Sequence, residues 1–131
     1  MSLTPDQRGL LLKRLQQEPR IVAAYLMGSV LRSHFRKDSD IDLAILPAPG
    51  SKISLMARLE MTAELSAILD HPVDIGILDT EDLIYAKETI LKGECIYCRD
   101  PYARDLFAAT ALSLYLQLKR QRVEVERAYS A

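Results

Sequence analysis

Two short apolar runs in this 131-residue chain are broken by acids at positions where an extended backbone turns them to one side. In Asp40-Ile41-Asp42-Leu43-Ala44-Ile45-Leu46 the two acids stand two residues apart. On a strand, both would project from one face while Ile41 and Leu43 enter the core. In Val73-Asp74-Ile75-Gly76-Ile77 the alternation is strict: Val73, Ile75 and Ile77 share one face, Asp74 and Gly76 the other. Carboxylates among apolar neighbours are costly without a partner, and adjacent carboxylates repel unless a cation lies between them. Oxygen donors of this kind suit Mg²⁺ or Mn²⁺. If the two strands are neighbours, Asp40, Asp42 and Asp74 form a three-carboxylate site able to hold two metal ions. The bland alternative makes Asp40 and Asp42 solvated edge residues, and leaves acids inside two separate apolar strands unexplained.

The rest of the chain alternates helical and extended patterns, which predicts an α/β (α+β) domain with a small sheet flanked by helices. Thr4-Pro5 reads as a cap and first-turn proline opening a helix to about Gln17. Ile21–Met27 is short and continuously apolar, as a buried strand would be, and Gly28 closes it. A turn or short helix is expected over Ser29–Phe35. Leu55–Leu69 is expected as a helix with Leu55, Leu59, Leu65, Ile68 and Leu69 on its apolar side. Val73–Leu78 reads as a strand, and Asp79 or Thr80 as the cap of a helix to about Leu91 ended by Gly93. Cys95–Cys98 reads as a short strand, and Asp100-Pro101 starts a long last helix to about Arg127.

Gly28-Ser29, between an apolar strand and a predicted helix, suits a phosphate cradle. Glycine lets the backbone approach a ligand, free helix N–H groups favour an anion, and Ser29 adds a hydroxyl. The same Ser29 would serve as a plain helix cap if no phosphate came. A cradle followed ten residues later by a metal site describes a nucleoside triphosphate bound through its phosphates and Mg²⁺.

Composition narrows the function classes. A net charge of −1 argues against a sequence-independent nucleic-acid binder. No apolar run approaches the length of a membrane span, and no basic-then-apolar leader opens the sequence, so a cytoplasmic protein is expected. The pair Cys95-x-x-Cys98 has no second pair to complete a zinc site and no thioredoxin-like helix start after it. The two cysteines are therefore read as small packing residues. His34 and His71 lack metal-like spacing.

Gly28-Ser29, ten intervening residues and Asp40-Ile41-Asp42 match the G-S-x10-D-x-D signature, so the chain resembles the polymerase-β-like nucleotidyltransferases. Ser39-Asp40-Ile41-Asp42-Leu43 is the usual wording of that motif, and Asp74 stands where the third carboxylate is expected. Within the superfamily it is similar to the minimal nucleotidyltransferases, especially the MntA-type antitoxins paired with HEPN-domain toxins. The resemblance implies one minimal nucleotidyltransferase domain over 1–131, with its core at about 20–100. It implies a Mg²⁺-dependent enzyme, with two ions or with Mn²⁺, that transfers AMP from ATP to a tyrosine of a HEPN ribonuclease. It makes Asp40, Asp42 and Asp74 catalytic metal ligands, and Gly28, Ser29, Arg32 and Ser39 nucleotide-binding residues. The family loop G-S-x-A-R-G is matched at Arg32, while Leu31 and Ser33 replace its alanine and glycine.

The last helix bears on the acceptor. From Leu106 to Leu118 its polar stripe is narrow: Thr110, Ser113 and Gln117. Phe107, Ala111, Leu114 and Leu118 make one apolar row, and Ala108, Leu112, Tyr115 and Leu116 a second. A small domain covers one row, and the other suggests a protein partner or an oligomer contact. Lys119, Arg120 and Arg122 read as a solvated end. Two other functions fit the same residues: a non-catalytic antitoxin that masks its toxin, and a nucleotidyltransferase acting on antibiotic-type small molecules.

Overall fold

The computed structural model describes residues 3–28 and 40–130. The element order is α1 (Pro5–Gln16), β1 (Ile21–Met27), β2 (Ile41–Pro47), α2 (Leu55–Leu69), β3 (Val73–Ile77), α3 (Leu83–Lys92), β4 (Glu94–Cys98) and α4 (Pro101–Ser130). Among the described residues the strands form one mixed sheet in the order β3-β2-β1-β4. β1 is antiparallel to β2 and β4, whereas β2 and β3 are parallel and joined through α2. The α/β expectation and the long last helix are both met.

Local signals account for most boundaries. Thr4 and Gln7 cap α1 reciprocally, each side chain bonding the other's backbone N–H at 3.1 and 2.9 Å. The Asp100 carboxylate accepts the Ala103 N–H at 3.1 Å and starts α4. α3 begins later than its sequence suggested: Asp82 is the cap, accepting the Tyr85 N–H at 3.0 Å. Asp79 instead accepts the Glu81 and Asp82 N–H groups in the preceding turn. The strand expected from Asp40 begins at Ile41, so Asp40 stands exposed just ahead of it.

The sheet separates two cores. On one face Leu11 and Leu15 of α1 and Met61, Leu65 and Leu69 of α2 pack on Ile41, Leu43, Ile45 and Ile75. On the other, Ala86 of α3 and Ala111 of α4 cover Val22, Ala23, Tyr25, Ala44 and Leu46. The buried side of α2 differs from the expected one. Met61, Leu65 and Leu69 recur every four residues and are buried, while Leu55 and Leu59 are exposed at 69% and 55%. Strand residues on that side are already large, so three inward side chains per two turns fill the space.

α4 lies along α3, with the Lys87 ammonium 4.9 Å from the Tyr115 ring centroid. Of its two apolar rows Ala111 is buried, Leu116 is exposed and the others are half-buried, and residues 119–130 are exposed. At thirty residues the helix runs about 45 Å, and its last turns are not covered by any of the described residues. Among the described residues no helix is long and apolar enough to cross a membrane.

The register of α2 is testable by urea unfolding. Leu65→Ala should cost about 2–5 kcal/mol, and Leu59→Ala should stay within about 0.5 kcal/mol of the parent. Comparable losses at both positions would contradict the face assigned to this helix.

Candidate active site

The ladder aligns three residues across the sheet. Met27 at the end of β1 pairs with Asp42, and Asp42 pairs with Asp74 across the parallel β2–β3 junction. Antiparallel β1 brings its C-terminal end to the start of β2, so the chain leaving Gly28 returns at Asp40 beside the same row. Asp42 alternates with Ala44 and Leu46, and Asp74 with Gly76 and Leu78, so both acids face the α3/α4 side. That pleated alternation is the reason two acids from separate strands share one surface.

Electrostatics agrees with the geometry. Burial raises the Asp42 carboxyl above the usual carboxylate range, and the charges of Asp74 and then Asp40 raise it further. Asp42 is half-buried, and Asp74 and Asp40 are exposed. Gly28 has φ +71° and lies directly against the Asp42 side chain. A Cβ there would collide with Oδ2 and stand 3.2 Å from Cγ. Glycine is therefore required twice, for the left-handed backbone and for the approach to the carboxylate.

A pocket of about 670 Å³ opens over this row, lined by Met27, Gly28, Asp42, Asp74, Gly76, Tyr85, Glu88 and Lys92. The last three come from α3 at spacings of three and four, one face of the helix. Tyr85 lies over Gly76: a Cβ at Gly76 would collide with the Tyr85 hydroxyl and sit 2.7 Å from Cζ. Burial raises the Tyr85 phenol above its ordinary value, as do the nearby Asp42 and Asp74 charges. Glu88 takes Lys87 and Lys92 at 2.8 Å each, and these hydrogen bonds push its carboxyl down to about 2. Lys92 is the one cation among the described lining residues.

Of the residues singled out from sequence, Gly28, Asp42 and Asp74 come together here. Asp40 stands one residue ahead of β2, near enough to raise Asp42. Ser29, Arg32 and Ser39 lie outside the described residues, as do Leu31, Ser33, His34 and the turn or short helix expected over Ser29–Phe35. Sequence reasoning missed Met27, Gly76, Tyr85, Glu88 and Lys92 as pocket residues. The helical spacing of the last three, just after the Asp74 strand, was the available signal.

The donor set fits a hard divalent cation. Two carboxylates face one pocket from adjacent strands, and their repulsion would be relieved by positive charge between them. Among the described residues no three acids, histidines or cysteines are already grouped as a metal cage. The fit rests on the Asp42–Asp74 pair, with Asp40 alongside.

The family model described as polymerase beta, nucleotidyltransferase matches residues 11–102. The chain is 28% identical over 104 residues to the protein adenylyltransferase MntA of Shewanella oneidensis, covering 79% of this chain and 73% of that one. A crystal structure of a toxin–antitoxin with AMP-PNP superposes with a TM-score of 0.76 at 24% identity, covering 98% of this chain and 100% of that one. A structure of the tri-AMPylated Shewanella oneidensis HEPN toxin with its MNT antitoxin gives 0.72 at 25% identity, over 95% and 97% of the two chains.

The Gly76–Tyr85 contact is open to test by a double-mutant cycle. Gly76→Ala should destabilise the protein by about 1–3 kcal/mol, because the ring must move. In a Tyr85→Ala background the same change should cost far less. Equal costs in both backgrounds would place the ring elsewhere.

Proposed function

The chain belongs to the polymerase beta nucleotidyltransferase family, and from that premise we propose that it transfers AMP from ATP to a protein hydroxyl. The acceptor in this reading is a tyrosine of a cognate HEPN-domain toxin, which makes the chain an antitoxin. The whole chain acts as one minimal nucleotidyltransferase domain. The observation that carries the reading is the Asp42–Asp74 pair facing a pocket walled by Gly28.

The residues divide the work. Gly28 and Ser29 hold the β- and γ-phosphates, with Arg32 and Ser39 completing the nucleotide contacts. Asp40, Asp42 and Asp74 are the ligands for Mg²⁺, which when bound would offset the charge of the acids and the triphosphate. Asp74, on the edge strand, also faces the acceptor and draws the proton from its hydroxyl. The acceptor oxygen then bonds to the α-phosphorus as the bond to pyrophosphate breaks. Pyrophosphate leaves, and AMP stays on the protein.

A protein acceptor is supported by three things. The described chain walls its pocket on the α3 side and adds little else that could enclose a small substrate. Leu116, Val123, Val125 and Tyr129 of α4 are exposed, a surface that a partner would cover. The relative solved with a HEPN toxin is called an MNT antitoxin, and the curated relative is called a protein adenylyltransferase.

Incubating the purified chain with its HEPN partner, Mg²⁺ and labelled ATP tests the reading. Label should appear on the partner, and Asp42→Asn should remove at least about a thousandfold of that activity. The variant should stay folded, since it deletes one of two repelling charges. An Asp42→Asn protein that protects cells fully at equal expression would favour masking. Label on an aminoglycoside and none on protein would favour a small-molecule acceptor.

A further inference from the structure

Residues three apart on a regular strand point to opposite faces, so Cys95 and Cys98 should be separated by β4. They are not. In the β1–β4 ladder Ala24 pairs with Tyr97 and the next residue, Tyr25, pairs with Cys95. One residue of β1 is thus set against two of β4, and this bulge at Ile96 reverses the alternation. Ile96 and Tyr97 both pack on the α1/α2 core. Cys95 and Cys98 pair with Tyr25 and Ala23, which both belong to the α3/α4 core. The two thiols therefore share the face that α4 covers.

Two contacts tie Cys95 to its surroundings. The Cys95 thiol donates to the Tyr97 carbonyl at 3.4 Å, the carbonyl of the peptide that leads into Cys98. Arg104 of α4 reaches Cys95 Sγ with Nη1 at 3.9 Å while its Nε holds Asp105 at 3.0 Å. Cys95 is exposed and Cys98 half-buried, and both are free thiols. The Arg104 guanidinium stands beside the more accessible of the two thiols, where it would attract the negative charge that the attacking sulfur carries in disulfide exchange. Burial raises the Cys98 thiol, partly opposed by the Arg104 charge. The two therefore differ in access, and Arg104 touches only the more exposed one.

We propose that Cys95 and Cys98 form a redox-active thiol pair for small-molecule disulfides, in which Cys95 reacts first and Cys98 closes the ring. The Cys95 thiolate attacks one sulfur of a disulfide RSSR, forming a Cys95–SR mixed disulfide and releasing one thiolate. Cys98 loses its proton to solvent and attacks Cys95 Sγ, displacing the second thiolate. In sum two protein thiols are oxidised to one disulfide and one RSSR is reduced to two RSH. The closure is geometrically reasonable. The residues facing the pair on β1 are two strand steps apart, about 6.6 Å, and disulfides span Cα separations of about 4.4–6.8 Å. β4 is an edge strand, so among the described residues it is paired on the β1 side only.

Oxidised glutathione added to the full chain, with alkylation and tryptic mass mapping of residues 93–99, tests this. The parent should yield a peptide lacking two hydrogens. Cys98→Ser should accumulate glutathione on Cys95, and Cys95→Ser should react several-fold more slowly, at Cys98. Arg104→Met should slow the first step several-fold with an unchanged circular dichroism spectrum. A parent that stops at the mixed disulfide would overturn the proposal. So would equal rates for the two serine variants, or thiols no more reactive in the folded chain than in denaturant.

Discussion

Asp42 and Asp74 are neighbours because β2 and β3 run parallel in a register that sets one acid directly opposite the other. Much of the architecture can be understood as maintaining that alignment. A parallel pair needs a crossover, which α2 provides, and α2 is anchored by Met61, Leu65 and Leu69 against strand residues on the face away from the acids. Ile41, Leu43, Ile75 and Val73 lock the register from below, since a one-residue slip would bury a carboxylate in that core. The repulsion between the acids is thus held in place by hydrophobic packing on the opposite side of the same strands.

The second requirement is space above the acids, and glycine supplies it. Gly28 turns the chain away from the end of β1 at positive φ and brings the backbone against the Asp42 carboxylate. Gly76 leaves room for the Tyr85 ring, so α3 can lie close while its Tyr85–Glu88–Lys92 face walls the pocket. Among the described lining residues Asp42, Asp74 and Glu88 stand against Lys92, and Lys92 is itself held by Glu88. This described part of the surface favours cations.

The chain read in isolation was informative where one residue answers to one local rule. Strict alternation in Val73–Ile77 gave the orientation of Asp74, and cap-plus-proline pairs located the starts of α1 and α4. It was less informative where neighbours decide. The apolar residues of α2 outnumber those the core can take, so Leu55 and Leu59 were assigned inward and are exposed. Asp79 is as good a cap by type as Asp82, and only backbone geometry chooses between them. Placing Asp40 and Asp42 together on the strand failed by one residue, because pairing to Pro72 begins at Ile41. The cysteines read as small packing residues for want of a second pair, and the bulge that sets both on one face leaves no signature in Cys95-Ile96-Tyr97-Cys98. Tyr85 and Lys92 became pocket residues only through the packing of α3 over Gly76.

We propose that the Asp42–Asp74 alignment seats a divalent cation carrying nucleotide. It is tested most directly by titrating Mn²⁺ into the chain with a non-hydrolysable ATP analogue and reading free Mn²⁺ by electron paramagnetic resonance. The account predicts saturable uptake that weakens at least about tenfold in the Asp42→Asn, Asp74→Asn double variant, since loss of even an outer-shell partner has that effect. Equal uptake by parent and double variant, with both folded, would contradict it.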